Sequence, residues 1–309
     1  MSPTSSDDVW ARFFDEALVL SQRREVPGSS ISRLLEQSVK KVRVTQGAPS
    51  AARARWDARR FRLDTSAVFA SWPEAARAAV LEALSDHSLA TSVFIEKGAI
   101  TYCARMALEA DTVEEKALFM VMGQEEVVHL LEFERLASPK VLAAPPSRFI
   151  RTLNELLQVS DRATSVLVAQ VLLEGMAMQH YDVLRESCVD DDMARVINRV
   201  LIDEARHHGS GLVLLERAEL TPERVGRMTD VAVQVVTMMT QQGQALLDVL
   251  RRVAALHGVS ADDETLGRLA KEIDLPAQMR ARAGSVREAL HKLKRPELHP
   301  LISAVDAAG

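Results

Sequence analysis

Two glutamates stand inside apolar helical runs, where an isolated charge is hard to keep: Glu96 in Ser92-Val93-Phe94-Ile95-Glu96 and Glu174 in Val171-Leu172-Leu173-Glu174. Burying an unpaired carboxylate costs on the order of several kcal/mol of hydration, or drives the group to protonate. Thirty residues after each comes a Glu-x-x-His pair, Glu126 with His129 and Glu204 with His207. Residues three apart share one face of a helix. The two sets coincide at a constant offset of 78 residues, since 96, 126 and 129 map onto 174, 204 and 207. Four carboxylates of this kind need a cation. One Glu from each of two helices and Glu-x-x-His from each of two others is the layout of a two-metal site inside a four-helix bundle.

Composition agrees with long helices. Of 309 residues 47% are apolar, and only 13 Gly and 11 Pro interrupt the chain, so the expected class is all-α. Aromatics at 4% are too few for a β-sandwich or a base-stacking surface. A net charge of −5 argues against a nucleic-acid partner, although residues 51–62 form a basic run with Trp56 and Phe61 interleaved. The reading there is that Arg stems cover apolar surface or pair with acidic helices. Cys103 and Cys188 are too few for a disulfide framework, and the N-terminus has no basic stretch followed by an apolar one. The apolar runs contain charges, so none reads as spanning a membrane, and a cytoplasmic protein is expected.

Along the chain, helices are expected over 7–24 and 31–44, and from Ala75 to Leu84 after Ser71-Trp72-Pro73-Glu74. The bundle helices are placed at about 86–110, 112–136, 161–188 and 191–219, with a further helix at 148–158 in the long connection. Helices at 223–256, 262–273 and 276–294 follow, ending before Pro296 and Pro300. The expected organisation is an N-terminal helical extension over 1–85, a dimetal bundle over 86–219, and C-terminal helices over 220–309 of the same domain. The flanking helices are the expected source of a substrate pocket or a homodimer surface.

A single Glu-x-x-His is weak evidence: Glu288 and His291 form a third one, with Gly258 thirty residues upstream, and read as solvated. The alternative for the other two is an ordinary bundle with buried ion pairs, in which Arg206 takes part; the repeated spacing and common offset would then be coincidence. Four carboxylates and two imidazoles suit two Fe ions, or a mixed Mn/Fe pair, better than zinc. The Glu of each Glu-x-x-His pair follows another acid, Glu125 or Asp203, and a ligating His gives its second N–H to such a group. Asp203 is expected to reach His129, and Glu125 to reach His207.

Asp203-Glu204-Ala205-Arg206-His207 resembles the Asp-Glu-x-Arg-His signature of the ferritin-like di-iron carboxylate proteins, which include monooxygenases, acyl-carrier-protein desaturases and ribonucleotide reductase small subunits. The resemblance covers about residues 86–219. It implies a ferritin-like four-helix bundle with additional N- and C-terminal helices, and metal ligands Glu96, Glu126, His129, Glu174, Glu204 and His207. The segment from Trp72 to Glu96 is loosely similar to the p-aminobenzoate N-oxygenase type, in which an extra His ligand stands one turn before the last Glu; here that position is Val200.

The function this implies is a non-haem di-iron oxygenase or oxidase that uses dioxygen and an external electron donor on a small-molecule substrate, for example in N-oxygenation. Alternatives are a ferroxidase or peroxide-scavenging iron protein, and a non-catalytic interaction protein stabilised by metal. Cys103 and Tyr181, again 78 apart, lie two turns beyond the unpaired Glu residues. With Phe94, Met106, Met122, Met178, His180 and Val200 they are the candidate pocket lining.

Overall fold

Helix α1 runs unbroken from Glu74 to Glu109, and α2 from Val113 to Leu136 antiparallel to it. The turn between them is short because Ala110 is extended and Thr112 caps α2, its side chain accepting the Glu115 backbone N–H at 3.1 Å. This computed structural model describes residues 29–30, 54–143, 146–240 and 243–308. The expected helices at 7–24 and 31–44 lie outside them.

After α2, helix α3 (Arg148–Val159) crosses to the second hairpin, whose first arm has three segments: α4 (Arg162–Val166), a π turn (Leu167–Leu173) and α5 (Glu174–Glu186). Its second arm is α6 (Asp191–Arg217). Asp190 caps α6 by accepting the N–H groups of Asp192 and Met193, both at 2.9 Å. The same carboxylate forms a buried ion pair with Arg55, which also donates to the Leu136 carbonyl at 3.0 Å. Arg55 of the basic run therefore ties the end of α2 to the start of α6, in keeping with the reading of that run as paired and packed.

Helices α7 (Pro222–Thr240), α8 (Gly243–Leu256), α9 (Asp263–Glu272), α10 (Leu275–His291) and α11 (His299–Ala308) complete the described chain. They pack around the hairpins: α8 lies on α1, and α10 touches both α5 and the π turn. The chain is all-α, with no strand among the described residues; one backbone bridge joins Trp56 and Cys188. Among the described residues no helix is long and apolar enough to cross a membrane.

Several boundaries differ from the sequence reading. The helices expected at 75–84 and 86–110 are one helix, within which Ser85 is buried and its hydroxyl accepts the Arg55 backbone N–H at 3.0 Å. The third arm carries a π turn where a plain α-helix is expected. Over the expected 223–256, α7 and α8 are helical up to Thr240 and from Gly243, and residues 241–242 lie outside the described residues. Helix α11 is additional: Pro300 sits in its first turn, where a missing N–H costs little.

Candidate metal centre

The hairpins place an apolar cluster on either side of one polar layer. The first contains Val93, Phe133, Tyr181 and Val200, and the second Cys103, Met122, Leu172 and Leu214. Along each of the four arms, the metal-ligand candidates fall between members of one cluster and members of the other. All six candidates meet there. Glu96, Glu126, His129 and Glu204 offer atoms within 4.8 Å of one another, and Glu126, Glu174, Glu204 and His207 form a second such group. Glu126 and Glu204 belong to both.

The distances suit two ions bridged by carboxylates. His129 Nδ1 is 3.2 Å from Glu126, 3.6 Å from Glu96 and 3.9 Å from Glu204. His207 Nδ1 is 3.1 Å from Glu126, 3.5 Å from Glu204 and 4.0 Å from Glu174. Metal bonds of about 2.1 Å set neighbouring donor atoms roughly 3 Å apart, so small movements bring each set onto one ion. Glu96 Oε2, Glu174 Oε2 and His207 Nδ1 are buried without a hydrogen-bond partner, as lone pairs awaiting a cation are. The donor set therefore fits a pair of hard divalent ions.

The outer nitrogens obey the expected crossing. His129 Nε2 lies 3.1 Å from Asp203, and His207 Nε2 lies 2.9 Å from Glu125. A carboxylate accepts, so each Nε2 carries a proton, and each Nδ1 faces inward, able to give up its own proton and offer a lone pair to a cation. Arg206 donates through one Nη to both Glu125 and Asp203, joining the two pairs. It serves the outer ring and does not neutralise the inner carboxylates, which disfavours the ordinary ion-pair bundle.

Burial and neighbouring charges shift the titration of the inner groups. Burial pushes the Glu96 and Glu174 carboxyls well above their ordinary range and raises Glu204. Burial acts on Glu126 in the same sense, but the facing His207 and His129 imidazoles outweigh it and hold this group well below. Burial also disfavours both imidazoliums, yet the bonds His129 donates to Asp203 and Glu126, and the nearby Glu96 carboxylate, raise it well above its usual value. The Glu126 charge and the bond to Glu125 do the same for His207.

Of the candidate pocket residues, Cys103, Met106, Met122, Tyr181 and Val200 are buried in the two apolar clusters that flank the ligand layer. The Tyr181 hydroxyl is 3.5 Å from Glu96 Oε1, and its ring stacks on Phe133 with centroids 6.4 Å apart. Met178 is half-buried. Phe94 is not brought to the cluster: two residues from Glu96 it turns about 200° round the helix, and its ring lies under the Lys97 ammonium at 5.7 Å. His180 likewise faces away, with Nδ1 3.4 Å from Arg60. Glu288 is exposed and bonded to Gln179, as a solvated decoy should be.

Gln170, Tyr102 and Ser210 were not picked out by sequence reasoning. Gln170 is fully buried; it accepts from the Tyr102 hydroxyl at 2.9 Å and donates to Ser210 Oγ at 2.6 Å and the His207 carbonyl at 3.1 Å. The available signal was one amide four residues before a ligand in an otherwise apolar run. Comparison with protein-family models, curated proteins and solved structures gives no match for this chain.

Proposed function

We propose that this chain is a dinuclear metal enzyme of ferritin-like four-helix architecture, an iron-dependent oxidase or oxygenase acting on a small organic substrate. The observation that carries the reading is the pair of overlapping ligand groups that share Glu126 and Glu204, each completed by an inward Nδ1 whose Nε2 is fixed by a carboxylate. The pair of ions would be held by Glu96, Glu126, His129 and Glu204 on one side, and by Glu126, Glu174, Glu204 and His207 on the other. Two iron ions, or manganese with iron, supply redox chemistry with dioxygen when bound, fed by an external electron donor.

The chain's own groups do the rest. Asp203, Glu125 and Arg206 hold both imidazoles in the ligating tautomer. The apolar clusters on either side exclude water, and Cys103, Met122, Tyr181 and Val200, which belong to them, are the candidate substrate contacts. Tyr181 is placed to hand a hydrogen bond to Glu96 and to contact a substrate on that side. The two free cysteines suit a reducing compartment such as the cytoplasm.

Anaerobic loading with Fe(II), followed by oxygen uptake against a panel of small amines, phenols and acids, tests the reading. About two Fe per chain with substrate-dependent oxygen consumption is the expected result. Uptake of many Fe per chain would favour iron storage, and metal-dependent stabilisation without oxygen consumption would favour a scaffold role.

A further inference from the structure

The two halves of the centre carry matching ligands on different scaffolds. Glu96 sits in an unbroken α-helix, whereas Glu174 directly follows the π turn, its backbone N–H bonding to the Ala169 carbonyl five residues back. A π turn is strained and rare, and survives where surrounding contacts hold it. Here the contacts come from α6, the helix that bears Glu204 and His207. The Gln170 amide holds the His207 carbonyl and Ser210, while the Gln170 backbone carbonyl receives His208 Nδ1 at 3.0 Å. Tyr102, from α1, fixes the amide's orientation from the other side.

The fit is close enough to need a glycine. A Cβ at Gly211 would lie 2.4 Å from the Gln170 Cβ and 3.3 Å from its backbone carbonyl carbon. The equivalent positions 78 residues earlier are Ser92 for Gln170, Glu132 for Ser210 and Phe133 for Gly211, so the residues that make this grip are not repeated in the first half. Glu174 also keeps 13% of its side chain accessible against 1% for Glu96. Its place is set by the turn before it more than by enclosure.

We propose that Gln170, held by Tyr102 and gripping α6 at His207 and Ser210, is a positioning residue that keeps Glu174 in register with Glu204 and His207. The proposal rests on the metal reading of the site. Loss of the grip lets the π turn relax toward α geometry, which rotates Glu174 relative to His207 and weakens one metal position while sparing the other.

Stepwise anaerobic titration of the full-length metal-free chain with Co(II), read by its visible absorption and by bound-metal analysis, tests this. The wild type should take two equivalents, and Glu174→Ala should identify the step that belongs to the second half. Gln170→Met, which keeps the bulk and removes the amide, should weaken that step about tenfold or more and leave the other within about threefold. Tyr102→Phe should weaken the same step by about threefold. Wild-type affinity for both steps in Gln170→Met, or equal weakening of both, overturns the proposal while the metal reading stands. If Gln170→Met does not fold, an unchanged second step in Tyr102→Phe overturns it. A wild type that binds no Co(II) removes the metal reading and the proposal together.

Discussion

The half-site built on Glu96 and His129 is rigid by enclosure, and the half-site built on Glu174 and His207 is rigid by hydrogen bonding. In the first, Glu96 is fully buried in a continuous helix, beneath Tyr181 and Phe133. In the second, Glu174 leaves a π turn clamped by Gln170 against a glycine surface on α6. Ligand identity repeats every 78 residues; the supporting structure does not. Two metals held by matching donor types would therefore differ in how firmly those donors are placed, a difference that ligand chemistry alone does not produce.

The largest expected effects come from the shared carboxylates. Glu126→Ala and Glu204→Ala should each reduce metal content from about two ions per chain to near zero, whereas Glu96→Ala and Glu174→Ala should each leave one. Metal analysis after dialysis checks this, and a shared-residue variant that retains one tight ion would show that the halves are independent.

Acidity comes next. Metal must displace the protons held on Glu96, Glu174, Glu204 and the two imidazoles, so affinity should rise by about tenfold or more per pH unit near neutrality. For the metal-free fold the raised groups stabilise fully below their unfolded values, about 4.3 for Glu and 6.5 for His. That contribution is lost as pH climbs through the folded values. Glu126 and Asp203 are lowered and act in the opposite sense, contributing above about 4 and losing the contribution on acidification. Thermal melts should then show metal-induced stabilisation growing from about pH 6 to pH 8. A constant difference over that range would mean that the site holds no displaceable protons.

Arg206→Met strikes both halves through Glu125 and Asp203, and chelator competition should show both affinities falling by about 10- to 100-fold. An effect confined to one half would mean that the two outer pairs are not coupled by this arginine. The smallest effect concerns packing. Gly211→Ala should cost about 1–3 kcal/mol in denaturant unfolding because its methyl meets Gln170. Gly209→Ala, whose Cβ would meet nothing within 4 Å, should be neutral or stabilising by up to about 1 kcal/mol.

The convergence of the six candidate ligands and of their crossed carboxylate partners was legible because it depends on helical periodicity and on a repeat, both of which a sequence displays directly. The pairing of Asp203 with His129 needed only the assumption of antiparallel neighbours. The π turn was not legible: Leu167-Val168-Ala169-Gln170-Val171-Leu172-Leu173 reads as an apolar α-helix, and nothing in it marks an inserted residue. Phe94 and His180 were misplaced because nearness in sequence to a ligand does not fix the direction of a side chain around a helix. Ser85 and Pro300 show the same limit at helix ends, where a residue suited to a boundary is put to another use by tertiary contacts.

Metal content of the purified chain after anaerobic equilibration with Fe(II) and removal of excess is the most direct test. Two tightly held ions per wild-type chain, with none in Glu204→Ala of unchanged helicity, is the predicted result. A wild type that retains no iron, or a Glu204→Ala variant that retains both ions, would contradict a shared dinuclear centre between the hairpins.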